Sequence, residues 1–404
     1  MTAAETERRR ALAGGFVPAL EGMRGLAAVG VVFTHVAFQT GTTATPLIGA
    51  LLGRLDLTVA VFFALSGFLL WRPHAAAARG LRSRPPMRTY LIHRAARILP
   101  AYWVVVAVVL TLLPGASGSL RVWLANLSLV QVFVPLTLTQ GMTQMWSLSV
   151  EVAFYLLLPL IGAAMMSLRH ERARLRIPVI VAVAAVSLGW TFLPVSTASG
   201  VNIENWLPGY LPWFGAGMIV AELATSRAVA IGDTGAGRAP LLVRLANRRW
   251  LLTGVAAAAF AVASTPVAGA QDLTTPAAWQ FAAKVLLGAI VSFCLIAPLA
   301  LGENVRTRWL AGPFALTIGR WSYGIFIWHL AVLAVVYPVL GISPFDGQFV
   351  LVTGTTLVLT LPIAAASYAL IEEPVRQALR AREKRRTGGA AASATAASES
   401  NAAN

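Results

Sequence analysis

Two residues capable of charge and proton chemistry, Arg24 and His35, lie eleven positions apart in an apolar stretch near the start of the chain. Eleven residues make about three turns of an α-helix, so both side chains project from one face, about 16 Å apart along the axis. A guanidinium binds negative charge, and an imidazole exchanges a proton near neutral pH. Ionisable groups inside a membrane segment are costly and by default mark a functional site. The same pair also fits an arginine that reaches the lipid headgroups and a histidine that packs between helices.

A carboxylate, Glu151, stands in a later apolar stretch that begins at Met145. In the topology given below, Glu151 and His35 lie at similar depths in the membrane. A carboxylate beside an imidazole fixes its tautomer and raises its basicity, as a general base requires. We therefore expect Glu151 to orient His35. A structural glutamate that is hydrogen-bonded to its own helix neighbours is the alternative.

Further polar groups interrupt two other apolar stretches. Ser66 and Gly67 form a small, polar notch, which suits either tight helix packing or a ligand lying against the backbone. Tyr323 and His329 lie in a stretch near the C-terminal end. Two intramembrane histidines could indicate a metal, but the chain lacks an HExxH pattern or a carboxylate-rich spacing to support one. No metal is therefore predicted.

The most basic loop of the chain contains seven arginines and no acidic residue: Arg72, Arg79, Arg82, Arg84, Arg88, Arg94 and Arg97. Seven cations exceed what membrane topology alone needs. The planar guanidinium matches phosphate in a two-bonded geometry, so a phosphorylated ligand would fit. Anionic lipid headgroups would fit as well.

The composition identifies a membrane protein. Of the 404 residues, 57% are hydrophobic and only 12% are charged, against about 25% charged in an ordinary soluble domain. The formal net charge of +16 falls in short loops between apolar stretches, so it indicates topology, and no nucleic-acid partner is predicted. The single cysteine, Cys294, excludes an intramolecular disulfide.

The apolar stretches predict an all-α, polytopic membrane helical bundle with about ten transmembrane helices. The predicted spans are 17–38, 55–71, 98–113, 145–167, 177–193, 206–224, 250–267, 280–301, 313–338 and 347–371. Most of the Lys and Arg residues then fall on one side, which predicts cytoplasmic N- and C-termini. This alternation depends on residues 121–135 forming an interfacial segment that does not cross the membrane.

The charge and composition divide the chain into three parts. Residues 1–15 form a cytoplasmic N-terminal segment, 16–376 form the membrane domain, and 377–404 form a disordered cytoplasmic tail rich in small and polar residues. Glu372 and Glu373, before Pro374, are interpreted as a structural cap against the basic loops. A multi-pass protein of the cell (inner) membrane is predicted; the oligomeric state stays unknown.

Six motifs occur in order along the chain. They are Arg-x10-His from Arg24, Phe-Phe-x-Leu-Ser-Gly-Phe-Leu from Phe62, Arg-x-x-Arg-Ile-x-Pro-x-Tyr-Trp from Arg94, Trp-Ser-Leu-Ser-Val-Glu-x-x-Phe-Tyr from Trp146, Ser-Tyr-x5-His from Ser322 and Ile-Glu-x-Pro from Ile371. Together they resemble the acyltransferase family 3 membrane proteins, which include O-antigen acetylases and macrolide acyltransferases. The resemblance covers about residues 16–376.

The resemblance implies transfer of an acyl group, usually acetyl from acetyl-CoA, to a hydroxyl of a carbohydrate, a lipid-linked glycan or a macrolide-type acceptor. It also implies that Arg24 and His35 are needed for activity, and that Arg94 and Arg97 are the arginine pair of the family. Some relatives append an extracytoplasmic hydrolase-like domain. We expect this protein to act alone or with a separate partner.

These residues lead to one mechanistic hypothesis. Acyl-CoA docks with its phosphates on Arg94 and Arg97, and its pantetheine arm passes Ser66 and Gly67. His35 then deprotonates the acceptor hydroxyl or carries the acyl group, and Arg24 binds donor phosphate or steadies negative charge.

In this hypothesis Tyr323 and His329 line the acceptor side. A proton-coupled transporter or flippase for an envelope lipid or glycan is the alternative, in which the same ionisable groups form a path. A non-catalytic scaffold is a third interpretation.

Overall fold

The computed structural model describes residues 14–383, apart from 117, 196, 199, 235–240, 273, 303–306 and 308, together with residues 12 and 385. Most of the predicted N-terminal segment and of the predicted tail lies outside the described residues. All regular secondary structure in the described part of the chain is helical. The chain is a polytopic membrane helical bundle.

Among the described residues, ten helices form the bundle, and each overlaps one of the predicted spans. They are α1 Pro18–Gln39, α2 Thr58–Ala78, α3 Met87–Leu112, α4 Trp146–Ala164, α5 Arg176–Ser187, α6 Leu207–Thr234, α7 Arg249–Ala263, α8 Ala278–Leu301, α9 Pro313–Leu340 and α10 Phe349–Ser367. Shorter helices occupy Ile48–Gly53, Leu120–Leu127 and Leu241–Ala246.

Within the described residues, eight helical segments are long and apolar enough to cross a membrane. The first helix, α1, is long enough at 22 residues, but it carries Arg24 and His35 and is not among the eight. The 15 residues of α7 make it a shorter apolar helix. Leu120–Leu127 has only eight residues, about 12 Å, and is too short to span a bilayer. Its length agrees with the predicted interfacial segment.

Contacts between loops sort the helix ends into two groups. Arg72, in the last turns of α2, donates a hydrogen bond to the carbonyl of Gly15, which precedes α1. Nε2 of His93, in α3, lies 2.8 Å from a carboxylate oxygen of Glu383, a residue that follows α10 in the chain. These residues define one end of the bundle, called here the arginine-rich end, and both ends of the described chain lie there.

The opposite end of the bundle holds the remaining turns. There the N–H of Phe345 donates to the carbonyl of Gln39 at 2.7 Å, and Arg54 donates to the carbonyl of Gly269 at 2.7 Å. The two helices in each of the pairs α1–α2, α7–α8 and α9–α10 therefore run in opposite directions, as the charge distribution predicts.

Glycines allow the helices that carry the candidate residues to approach closely. On α1, a Cβ at Gly25 would lie 2.9 Å from the backbone nitrogen of Gly319 on α9. On α2, a Cβ at Gly67 would lie 2.2 Å from the carbonyl oxygen of Phe214 on α6. Small residues at crossing points are a common means of packing membrane helices. The Gly25 crossing brings Arg24 beside the part of α9 that carries Tyr323.

Two helices extend beyond the predicted spans. α3 begins at Met87, ahead of the span predicted from residue 98, and its first turns carry several cationic side chains. The last helix passes through a π-helical segment, Tyr368–Glu372, and continues to Glu383, past the predicted end of its span at residue 371.

Candidate active site

A small cavity lies in the middle of the bundle, enclosed by α1, α2, α3, α4 and α9. Its volume is about 60 Å³, which is room for about two water molecules. Its polar lining consists of Arg24, Ser66, Arg94, Arg97, Ser147, Glu151, Tyr155 and Tyr323. This central cavity therefore collects eight polar groups that stand in the sequence motifs, from five different helices.

Glu151 anchors two of its neighbours in the central cavity. The hydroxyl of Tyr155, one turn further along α4, donates to Oε1 of Glu151 at 2.5 Å. The hydroxyl of Ser66 on α2 donates to the same oxygen. A carboxylate that accepts two hydroxyl donors is held in a fixed orientation. Tyr155 ends the motif from Trp146, but sequence reasoning assigned it no role, although its spacing of four residues from Glu151 places both on one helix face.

Three arginines surround this carboxylate at the arginine-rich end of the cavity. Arg24 lies 3.6 Å from Glu21, three residues earlier on α1. Arg94 stands over the ring of Tyr155, 6.0 Å from its centroid, and its buried Nε atom has no hydrogen-bond partner among the described residues. With Arg97 they give the cavity a positive lining that suits an anionic ligand.

A second, larger cavity, called here the vestibule, adjoins the central cavity at the arginine-rich end. Its volume is about 460 Å³, and it shares Arg24, Arg97 and Tyr323 with the central cavity. Arg320, Arg376, Glu21 and Glu372 complete its charged lining. A long anionic molecule could therefore place its charged part in the vestibule and extend a neutral part into the central cavity. Sequence reasoning did not find Arg320 or Arg376, because single basic residues at helix ends are common.

The two histidines of the spans form a hydrogen-bonded pair. His35 Nδ1 lies 2.9 Å from the carbonyl of Val31 and 3.1 Å from Nε2 of His329. His329 Nδ1 lies 2.7 Å from the carbonyl of Phe326 and 3.1 Å from that of Ile325. The rings are 5.1 Å apart.

These contacts assign the protons on both rings. Nδ1 of His329 faces only carbonyl oxygens, so it carries the hydrogen and its Nε2 accepts. Nδ1 of His35 faces a carbonyl and that acceptor, so it must donate. With both rings neutral, Nε2 of His35 retains its lone pair, and this atom has no hydrogen-bond partner in the described part of the chain. It is positioned to act as a base or nucleophile.

The ring of Phe326 separates the histidine pair from the central cavity. Phe326 lines the cavity, and its centroid lies 6.0 Å from that of His329. The ring of Phe62, also in the cavity lining, lies 6.0 Å from Phe326. His35 itself is half-buried and does not line the cavity. A molecule that extends from the arginines would therefore meet this aromatic pair before it reached His35.

The prediction that Glu151 orients His35 is wrong. Glu151 contacts Ser66 and Tyr155, and the partner that orients His35 is His329. His329 is fully buried against His35 and lines neither the central cavity nor the vestibule, and its role on the acceptor side stays a prediction.

Two further site residues make contacts that the sequence did not predict. Gly67 faces Phe214 on α6 rather than the cavity, so the helix-packing alternative applies to it, whereas Ser66 does line the cavity. Tyr323 lies with the arginines, between the cavity and the vestibule, and donates to the carbonyl of Ile98 at 2.9 Å. Its predicted contact with the acceptor stays a prediction.

Comparison with known proteins identifies the family. The family model described as an acyltransferase domain, that of acyltransferase family 3, matches residues 17–369. The chain belongs to acyltransferase family 3. The match covers all ten helices of the bundle up to the start of the π-helical segment. The match confirms the predicted resemblance of the six ordered motifs to this family.

The chain is also similar to several named O-acetyltransferases. It is 22% identical over 383 residues to the peptidoglycan O-acetyltransferase OatA of Listeria monocytogenes, covering 90% of this chain and 56% of that protein. It is 23% identical over 384 residues to a putative O-acetyltransferase of Staphylococcus aureus, covering 90% and 58%. A putative peptidoglycan O-acetyltransferase of Bacillus subtilis, YrhL, is 25% identical over 384 residues, with 89% and 55% covered.

The chain spans a little more than half the length of the relatives it matches. No solved structure gives a significant match. Within the described residues, no group of three or more His, Cys, Asp and Glu side chains could hold a metal ion.

Proposed function

We propose that the protein is an O-acyltransferase of the cell membrane. It transfers an acyl group, most simply acetyl, from acyl-CoA to a hydroxyl of a carbohydrate acceptor. The proposal is supported by the family and by relatives that are named O-acetyltransferases, two of them for peptidoglycan. The single observation that carries it is the free Nε2 of His35, which lies beyond a cavity lined by three arginines.

The donor is proposed to enter from the vestibule. Its phosphates contact Arg97, Arg320 and Arg376, and its neutral pantetheine arm passes Arg24 and Tyr323 into the central cavity. Arg94 contacts the donor within the cavity, with an unpaired Nε available for a further hydrogen bond. The central cavity holds only about 60 Å³, so the aromatic rings Phe62 and Phe326 must move when the arm is bound.

His35 is proposed as the catalytic base. Nε2 takes the proton of the acceptor hydroxyl, and the resulting oxygen attacks the thioester carbonyl carbon. The carbon–sulfur bond breaks, and the proton on Nε2 passes to the departing sulfur. The positive charge that His35 gains in between is stabilised because Nδ1–H donates to His329 and to the carbonyl of Val31. Carriage of the acyl group on Nε2 itself uses the same lone pair and stays open.

Glu151 is proposed as a positioning residue for the donor. It holds Ser66 and Tyr155 against the cavity and balances the charge of the three arginines. Without a bound ligand, three arginines alone would repel one another across a space of low dielectric. A carboxylate at this place keeps the empty cavity stable.

Purified protein in phosphatidylcholine nanodiscs should consume radiolabelled acetyl-CoA when a soluble peptidoglycan fragment is present. The expected result is label on the acceptor and one free thiol per acetyl group transferred. No consumption with any acyl-CoA, together with acceptor movement across a sealed vesicle membrane, would favour the transporter or flippase alternative instead.

A further inference from the structure

The vestibule contains a carboxylate that is misplaced for a simple phosphate site. Glu372 lines the vestibule together with Arg24, Arg97, Arg320 and Arg376. Its side chain is 6% exposed, and its buried Oε1 atom has no hydrogen-bond partner. It forms no ion pair with a described residue, although three arginines act on it electrostatically. A buried polar group without a partner costs free energy and needs an explanation.

The backbone at this residue is irregular as well. Glu372 ends the π-helical segment Tyr368–Glu372 that interrupts the last helix. Such single π-turns occur frequently at functional sites, because they turn one side chain away from the direction a regular helix would give it. The irregularity and the unpartnered oxygen occur at one residue, and both are therefore accounted for together if Glu372 contacts a ligand.

A carboxylate in an anion site has two opposite effects. It repels every phosphate, which lowers the affinity for all anionic ligands alike. It accepts hydrogen bonds, which raises the affinity only for ligands that carry an N–H or O–H donor at the right place. Discrimination between two ligands is achieved by combining an attractive and a repulsive contact in this way.

We infer that Glu372 is a specificity-determining residue that selects a hydrogen-bond-donating phosphate ester over simple phosphates. Coenzyme A carries amide N–H groups, an adenine amino group and hydroxyls in addition to its phosphates. Pyrophosphate and lipid phosphates without such donors offer only charge. Four arginines at a membrane surface attract anionic lipids. Glu372 therefore keeps the vestibule clear of them while the donor still binds.

The inference rests on the proposed function for the identity of the preferred ligand. Glu373 offers a matched control, because it is the adjacent residue and carries the same charge. It is engaged elsewhere, by the hydroxyl of Tyr368 at 3.1 Å and by Arg376 at 3.4 Å, and it does not line the vestibule. The Glu372→Gln and Glu373→Gln variants thus remove one negative charge each, at neighbouring positions, with little change in shape.

The test is equilibrium binding of radiolabelled CoA to the full chain in phosphatidylcholine nanodiscs, with displacement by pyrophosphate. In Glu372→Gln, pyrophosphate should displace CoA at a concentration at least about tenfold lower than in the wild-type protein, because the repulsion between Glu372 and the anion is gone. The dissociation constant of CoA should change less than about threefold, because the lost repulsion and the weakened hydrogen bond offset each other. Glu373→Gln should leave the ratio of the two values unchanged, because the release of its partner Arg376 acts on both phosphate ligands alike.

Three results would overturn the inference. Equal strengthening of CoA and pyrophosphate would mean that Glu372 acts by charge alone. Unchanged displacement by pyrophosphate would mean that Glu372 does not face the bound anion. The same change of selectivity in Glu373→Gln would mean that the effect does not depend on which of the two carboxylates is removed. Wild-type protein that binds no CoA would reject the proposed donor as well, whereas CoA binding with unchanged selectivity would reject only the role of Glu372.

Discussion

His329 Nε2, on the fully buried side chain of α9, lies 3.1 Å from Nδ1 of the half-buried His35 on α1. The contact fixes the tautomer of His35 and leaves its Nε2 free. It also gives the developing imidazolium an acceptor, the role that a carboxylate has in many hydrolases. A neutral imidazole does this with a smaller desolvation cost than a buried carboxylate.

His329→Leu should therefore lower kcat about tenfold or more, while the KM for acetyl-CoA stays within about twofold. The loss is part of the roughly 10²–10⁴-fold rate acceleration that a positioned general base contributes. His329→Gln should recover part of the activity, because its side-chain oxygen can accept from His35. The measurement is steady-state transfer of labelled acetyl by purified variants. If Leu and Gln at this position behave alike, His329 supports only packing.

Glu151→Gln should leave the reactivity of His35 unchanged. The two residues make no contact, and Glu151 binds Ser66 and Tyr155 instead. Carbethoxylation by diethyl pyrocarbonate, quantified at His35 by mass spectrometry, is the readout. The variant should also be less stable by about 1–3 kcal/mol, because two hydroxyls lose a charged acceptor. A changed His35 reaction rate in Glu151→Gln, with no change in His329→Leu, would restore the role predicted from the sequence.

Arg97→Gln should raise the KM for acetyl-CoA about tenfold or more and leave the KM for the acceptor unchanged. Arg97 lines both the central cavity and the vestibule, and a charge-assisted hydrogen bond to phosphate is worth about 1.5–3 kcal/mol. Arg94→Gln should have a similar effect from within the cavity. Arg88→Gln is the control, because Arg88 is exposed and lines neither space. A larger effect on the acceptor than on acetyl-CoA would reject donor docking at these arginines.

Gly67→Ala should destabilise the protein without a direct effect on donor binding. The added methyl group would lie 2.2 Å from the carbonyl oxygen of Phe214, so α2 and α6 must separate, at a cost of about 1–3 kcal/mol. Gly254→Ala in α7 meets no atom within 4 Å and should be neutral or stabilising by up to about 1 kcal/mol. Thermal unfolding in detergent compares the two. An intact thermal stability combined with a raised KM for acetyl-CoA would place Gly67 in the donor path.

The sequence predicts the helices well, because hydropathy over a membrane-length window is a strong signal. The sequence predicts helix boundaries less well where charged residues interrupt the hydropathy signal. The first turns of α3 carry Arg88, His93 and Arg94, so the hydropathy signal begins later than the helix, which begins at Met87. The helix from Phe349 passes beyond residue 376 for a similar reason, since its last turns are polar and cationic.

The partners of the site residues could not be predicted in the same way. Helical spacing shows that Arg24 and His35 share a face, but not which neighbouring helix that face meets. The rotation of α4 about its axis decides whether Glu151 meets His35 or Ser66, and the glycine crossing of α1 with α9 decides that His35 meets His329. Both are properties of packing between distant segments, which a single sequence does not encode in its local pattern.

The central claim is that Nε2 of His35 performs the transfer. His35→Ala in purified, correctly folded protein should reduce transfer of labelled acetyl from acetyl-CoA by at least about 10²-fold, with CoA binding retained. His35→Ala that transfers acetyl at more than about half the wild-type rate would contradict the account.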